Sequence, residues 1–421
     1  MPLALWVGGI FLVGYGLIAF EHALRLPRSA IALLTAVCCW GSLFLLQPGQ
    51  RTQALGELGE HLAGIAAVVF FLLCALAIVQ AIRVHGGFLF LTRWLRVRRL
   101  EQLAAVVSVV TFFLSAVIDN MTTTVVMIAL VRELVPEQPE LQKVLAGLIV
   151  IAANAGGAWS PIGDVTTTML WLGGKIHAVD VVENVFVPSA FAIGVPLVLL
   201  LPWFRRQQWQ WGRLRQGSKP HAGTVFACGV GGLLFVPVFH TLTGLPPVLG
   251  AFFVVGGLWV LTELLHRDIP EREHLRMHSV LYQIDVSSLL FFVGILLAVD
   301  ALQTAGILAE FARWLDRVLP AKELLVSLLG VVSAVVDNIP LTAACMKMYA
   351  AYPANYWLWM LLAYAVGTGG SLLVIGSAAG IVAMATARVE FFWYLRRVAP
   401  VAALGYGAGI GAFLLMRMLL G

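Results

Sequence analysis

Charge is what this sequence has least of. Only 12% of its 421 residues are Asp, Glu, Lys or Arg, against 60% hydrophobic, too few to cover the surface of a soluble protein of this size. The mean hydropathy of +0.92 says the same. A soluble enzyme, a disordered chain and a secreted disulfide scaffold are disfavoured together. Cysteine is sparse too: Cys38, Cys39, Cys74, Cys228 and Cys345 sit in apolar stretches. They lack the CxxC spacing or nearby His of a zinc site and read as small hydrophobes. The net charge of +5 comes with no basic domain and no aromatic RNA-binding motif, so nucleic acid is discarded as a partner. No positive charge precedes the first apolar run, which is expected to be a span rather than a cleaved signal peptide.

What is present is a series of apolar runs. A span needs roughly 20 such residues, and the runs at 3–20, 29–46, 62–82, 185–203, 222–240, 247–265, 286–303 and 391–416 fit singly. The stretches 103–135 and 141–177 do not. As continuous helix they would measure about 50 and 55 Å, against a hydrocarbon core of about 30 Å. The first carries Asp119-Asn120 at its centre, which predicts a re-entrant hairpin with that pair at its tip. The second is interrupted by Asn154-Ala-Gly-Gly-Ala-Trp-Ser-Pro-Ile-Gly-Asp164. Its glycines and proline oppose continuous helix and predict a broken span beside protein or a water-filled cavity.

Both features recur. Ser115-Ala-Val-Ile-Asp119-Asn120 returns as Ser333-Ala-Val-Val-Asp337-Asn338, and the stretch from Asn154 to Asp164 returns as Gly367 to Ser377. Each copy lies about 215 residues further on, an internal duplication. The predicted fold is an all-α polytopic membrane protein of two repeats, 1–212 and 221–421, joined by a linker at 205–221. Each repeat has five spans, one of them broken, plus a hairpin. The hairpins fall at 103–135 and 323–349, the broken helices at 141–177 and 355–387. Five is odd, so the repeats must be inverted. Lys and Arg gather at 83–101 and 204–220, with Arg25, Arg28, Arg388, Arg396 and Arg397 on the same side of the ten-span arrangement. That side is expected to be the cytoplasm, which leaves both termini outside. Residues 83–100 read as an interfacial amphipathic helix, and Trp6, Trp94, Trp171 and Trp203 as interfacial anchors.

An ionised carboxylate near the bilayer centre costs at least about 2.5–3.5 kcal/mol, so Asp119, Asp164 and Asp337 need a reason. Two lie at equivalent hairpin tips and the third in a helix break. A small hard cation stripped of water needs oxygen ligands. The first half offers Asp119, Asn120, Thr122, Thr123 and Thr124, then Asn154, Ser160, Asp164, Thr166 and Thr167. The second offers Ser333, Asp337, Asn338 and Thr342, then Thr368, Ser371 and Ser377. About half of the threonines are expected only to back-bond to helical carbonyls. Three central acids favour a cation over an anion, and Ser377 in place of Asp164 makes the first half the more negative. Desolvation and neighbouring acids make a proton and a metal ion compete for one carboxylate. That competition alone gives antiport.

The strings SAVIDNMTTTVVM, NAGGAWSPIGDVTTTMLW, SAVVDN and GTGGSLLVIGSAAG resemble the signature segments of NhaD-type sodium/proton antiporters. These lie in the ion transporter superfamily, which also holds citrate, dicarboxylate and arsenite carriers. The resemblance spans both halves. It implies inverted repeats, a scaffold with a mobile (elevator) transport domain, exchange of Na⁺ or Li⁺ for H⁺ without a cofactor, and a homodimer in the lipid bilayer. The setting it suggests is a bacterial inner membrane. The family's functional residues map onto Asp119, Asn154, Asp164 and Asp337 as cation ligands, with Thr and Ser neighbours. Gln80 departs from the pattern, standing where a glutamate is expected.

Other polar groups are assigned to the background. Asp300 lies near a span end and is expected at the outer interface. Lys347, about 13 Å along a helix from the second tip, is expected to snorkel rather than to counter Asp337. His61, His85, His177, His221 and His240 flank spans and are expected to be solvated or capping. Two alternative functions remain: a Na⁺-coupled anion carrier of the same superfamily and an intramembrane aspartic protease. The second is disfavoured because Pro161 stands where the GxGD motif needs glycine.

Overall fold

The computed structural model describes residues 2–19, 25–46, 51–88, 97, 99–136, 138–207, 220–267, 269–336 and 338–420. Among them the regular structure is helical throughout. The first half contributes α1 (Pro2–Ala19), α2 (Arg28–Leu46), α3 (Arg51–Val84), α4 (Leu100–Ser115), α5 (Asn120–Leu134), α6 (Pro139–Ala158), α7 (Val165–Leu172) and α8 (Ala178–Arg205). The second contributes α9 (Ala222–Thr243), α10 (Pro247–His266), α11 (Met277–Leu281), α12 (Val286–Thr304), α13 (Ile307–Val318) and α14 (Lys322–Val332). It ends with α15 (Asn338–Met348), α16 (Trp357–Gly369), α17 (Ala378–Ala387), α18 (Phe391–Arg397) and α19 (Ala399–Leu420).

Eight of these helices, namely α2, α3, α6, α8, α9, α10, α12 and α19, are long and apolar enough to cross a membrane. The bent pair α17 and α18 raises the count to nine if read as one span. α1 and α16 are apolar but shorter. The expected hairpins are α4–α5 and α14–α15, and the expected breaks separate α6 from α7 and α16 from α17.

Packing pairs equivalent elements of the two halves. α4 lies on α6 as α14 lies on α16; α2 runs along α12 while α3 packs on α10; α8 and α19 lie side by side. The second hairpin arms cross over, α5 against α17 and α15 against α7. α6 and α16 sit at the centre of the largest apolar cluster, with nearly every residue buried. Close approach there needs glycine: a Cβ on Gly156 would collide with the Phe112 carbonyl, and one on Gly369 with the Gly330 carbonyl.

The helices divide by contact into two sets. α1–α3 and α9–α12 pack among themselves, as do α4–α8 and α14–α19. The main contacts between the sets are α12 with α15 and α3 with α7, and α13 joins them covalently while resting on α15.

Several boundaries differ from the sequence reading. α3 starts at Arg51 rather than near 62, because its polar residues find partners: Glu57 accepts from Thr304 Oγ1 at 3.0 Å. α8 starts at Ala178 rather than 185, with His177 in extended backbone just before it. The run 391–416 splits at Val398, and α18 bends by 112° from α17. Pro400, which has no N–H to donate, falls in the first turn of α19, where none is needed. The interfacial helix expected at 83–100, with Trp94, falls largely outside the described residues, as does most of the linker expected at 205–221. α13 was not foreseen. It is a short surface helix with Phe311 and Trp314 stacked and exposed and Glu310, Arg313 and Arg317 among them. Trp171 is not an interfacial anchor: it is buried against Phe71 and His240.

Candidate functional site

The two breaks and the first hairpin tip meet in the interior. Asp119 is the N-cap of α5, its Oδ1 accepting from the Thr122 backbone N–H at 2.9 Å. This fixes the tip so that the next side chain, Asn120, points inward. Asn120 Nδ2 donates to Asn154 Oδ1 at 3.0 Å and to Asp164 Oδ1 at 3.3 Å. Asn154, the last polar residue before the first break, then donates through Nδ2 to Ser371 Oγ and Ser377 Oγ, both at 2.9 Å. Both amide hydrogens of each Asn are thus used on oxygen acceptors, a pattern that fixes which amide atom is which. Thr166 Oγ1 donates to Asp164 Oδ2 at 2.5 Å. Asn120, Asn154, Asp164, Thr166, Ser371 and Ser377 form one buried network across both halves.

Asp164 and Ser377 occupy equivalent positions, each an N-cap with extended backbone (φ −141° and −146°). Ser377 Oγ caps its helix by accepting from Gly380 N–H at 3.2 Å. The Asp164 carboxylate makes no cap bond and turns toward Asn120 and Thr166. An acid at a helix N-terminus is stabilised by the helix dipole, so the negative charge sits where the backbone favours it.

The remaining candidates have local roles or lie at the edge. Thr123 donates to Ile118 O, Thr124 to Asn120 O, Thr167 to Ala158 O and Thr368 to Tyr364 O. The Ser333 hydroxyl donates to the carbonyls of Gly330 and Val366, and Ser115, its counterpart, to Ala153 O. These two serines tie each first hairpin arm to the adjoining broken helix. Ser160 is buried and its Oγ accepts from Ile162 N at 3.4 Å. Asp337 lies outside the described residues. Its neighbour Asn338 is buried beside Gly370. Asn338 Oδ1 and Thr342 Oγ1 are buried oxygens with no hydrogen-bond partner among the described residues. A cavity of about 10 Å³, room for one water-sized sphere, adjoins Thr368 and Ser371.

Sequence reasoning missed Tyr394 of α18, whose hydroxyl donates to Ser371 O at 2.7 Å. An aromatic among arginines carries no signal of such a role. Four background assignments also change. Asp300 is buried, 4% exposed, and Lys347 pairs with it at 3.0 Å instead of snorkelling. His85 is not solvated: it is buried, with Nε2 3.0 Å from His266 Nε2. His61 lies 3.5 Å from Asp300. Gln80 Nε2 donates to Gln283 Oε1 at 2.8 Å.

Apolar spans around an interior array of carboxylate, amide and hydroxyl oxygens, set in two helix breaks, are the architecture of a membrane transporter. The sequence profile of a family described as "Citrate transporter" matches residues 15–367. Sodium/proton antiporter 1 of Arabidopsis thaliana is 45% identical over 416 residues, covering 97% of this chain and 72% of that protein. The Na(+)/H(+) antiporter NhaD of Alkalimonas amylolytica is 30% identical over 439 residues, covering 96% and 89%. The chain belongs to the NhaD-type sodium/proton antiporter family. The crystal structure of the Alcanivorax borkumensis YdaH transporter has the same fold, with a TM-score of 0.53 at 14% identity over 88% of this chain and 90% of that one.

Proposed function

We propose that this protein exchanges Na⁺ or Li⁺ for H⁺ across a membrane, with Asp164 as the group that holds either the cation or the proton. The observation that carries this reading is the single network in which Asn120 and Asn154 tie Asp164 of the first half to Ser371 and Ser377 of the second. The ligands it offers a dehydrated cation are carboxylate, amide and hydroxyl oxygens. With neither ion bound, a bare carboxylate would have to cross low-dielectric surroundings, which is costly. The carrier therefore crosses loaded with one or the other, and that obligation is the exchange. Asp119, Asp337, Asn338 and Thr342 complete the cation path from the two hairpin tips.

The division of contacts supports an elevator movement. α1–α3 and α9–α12 form the fixed body, and α4–α8 with α14–α19 form the body that travels. The repeats 1–212 and 221–421 are inverted in this reading, both termini face outward, and a second copy associates through the fixed body.

The test is dissipation of a pH gradient in proteoliposomes holding the purified chain, with NaCl, LiCl, KCl and citrate added in turn. Na⁺ or Li⁺ is expected to collapse the gradient, and Asp164→Asn to abolish the effect while leaving the folded protein intact. Retained exchange with unchanged ion dependence in that variant would sink the assignment. The match to a profile described as citrate transporter supports a second reading, Na⁺-coupled uptake of an anion. It predicts labelled citrate accumulation that depends on Na⁺, with cations alone silent.

A further inference from the structure

The seam between the two bodies is mostly apolar. Phe71 of α3 meets Trp171 of α7 edge-on at 6.0 Å, and Trp171 meets His240 of α9 at 5.9 Å. Met169 of α7 and Ala343 of α15 join an apolar cluster with Phe291, Ile295 and Leu302 of α12. Such surfaces slide with little change in energy, because each apolar contact given up is replaced by another. An ion pair interrupts the seam. Lys347 of α15 places Nζ 3.0 Å from Asp300 Oδ1 of α12, and His61 of α3 approaches the same oxygen at 3.5 Å. Among the described residues it is the one salt bridge that joins the two sets directly. The other charged contact in this region, Lys322 and Tyr349 on Asp316, goes to the connecting helix α13.

The placement is costly unless it is used. Asp300 is almost fully buried while the Lys347 side chain is 30% exposed, so the pair has a dry end and a wet end. Parting them would leave a buried carboxylate with His61 alone. Breaking a buried pair by taking away one partner is strongly destabilising even where the pair itself contributes little net stability. Lys347 also sits at the far end of the helix that begins at Asn338, so the arm that carries the second tip is the arm that is held.

We propose that the Asp300–Lys347 ion pair is a latch that holds the travelling body at one end of its path. Asp300 is fixed on the scaffold side, and Lys347 is the catch carried by the second hairpin. The latch rests on the elevator reading above. It sets the populations of the two end states and leaves the oxygen network around Asp164 untouched.

The experiment measures those populations in the full-length chain in lipid nanodiscs, by double electron–electron resonance. Spin labels are placed at Leu242→Cys on α9 and Ala354→Cys before α16, with the exposed Cys38 and Cys228 replaced by Ala. With the latch present, one distance is expected to dominate. The double variant Asp300→Asn/Lys347→Met removes both charges together and so avoids a stranded ion. It is expected to change the ratio of the two distances at least five-fold toward the other state, while Lys347→Arg keeps the original ratio. Two distances with the same ratio in the wild-type chain and the double variant would overturn the latch and leave the elevator standing. A single distance in every variant, with and without Na⁺, would overturn both.

Discussion

Asn154 joins the two halves inside the buried polar network. Its carboxamide accepts from Asn120 and donates to Ser371 and Ser377, and no smaller side chain reaches both sides. Asn154→Ala would leave buried groups without partners, each worth about 1–3 kcal/mol. Exchange is expected to fall at least ten-fold in proteoliposomes, with the chain still eluting as one folded species in size exclusion. Asn154→Asp tests the electrostatics instead. It keeps the shape but removes the two hydrogens that Ser371 and Ser377 accept, and it sets a second charge beside Asp164. Its apparent affinity for H⁺ is expected to rise, moving the pH profile of exchange upward, because like charges disfavour ionisation. An unchanged profile would show that residue 154 lies outside the field of the titrating carboxylate.

At the scale of elements, the breaks were readable because glycine and proline oppose continuous helix, and a lone acid inside an apolar run is too costly in lipid to stand there unused. Asp119, read as a hairpin tip, and Asp164, read as part of a break, are the N-cap residues of α5 and α7. What was not readable follows from the same physics. The residues Glu57, Glu60 and His61 look like loop because they are polar, yet they belong to α3, where Glu57 and His61 meet Thr304 and Asp300 across the fold. The pairing of Lys347 with Asp300 joins residues distant in the chain, and no local pattern announces it. α13 was masked by its mixed composition, although the repeat offset from 83–100 would have pointed to it. The sharper constraint lies in the glycines. Gly156→Ala and Gly369→Ala each drive a methyl into a backbone carbonyl that cannot retreat, so each is expected to destabilise by about 2 kcal/mol or more. The yield of folded, detergent-stable protein should fall with them. Gly407→Ala, with open space around it, is the matched control and is expected to behave as wild type.

For the whole molecule, the two halves are not equal, and that inequality bears on how they sit in the membrane. The first break ends in an acid and the second in a serine that caps its own helix, so only one half brings fixed negative charge into the shared network. In the inverted-repeat reading proposed above, the two halves approach this centre from opposite sides of the membrane. The swapped contacts of α5 with α17 and α7 with α15 are what such an arrangement would use. That reading puts the basic clusters on one side, with the ends of α8 and α10 facing it and the end of α19 facing away. In intact expressing cells with Cys38 and Cys228 replaced by Ala, Met418→Cys near the end of α19 is expected to react with a membrane-impermeant maleimide. Gln207→Cys, just past α8, is expected to react only after the membrane is opened. Labelling of both from the same side would mean that α9–α19 cross an even number of times, which two inverted five-span repeats forbid.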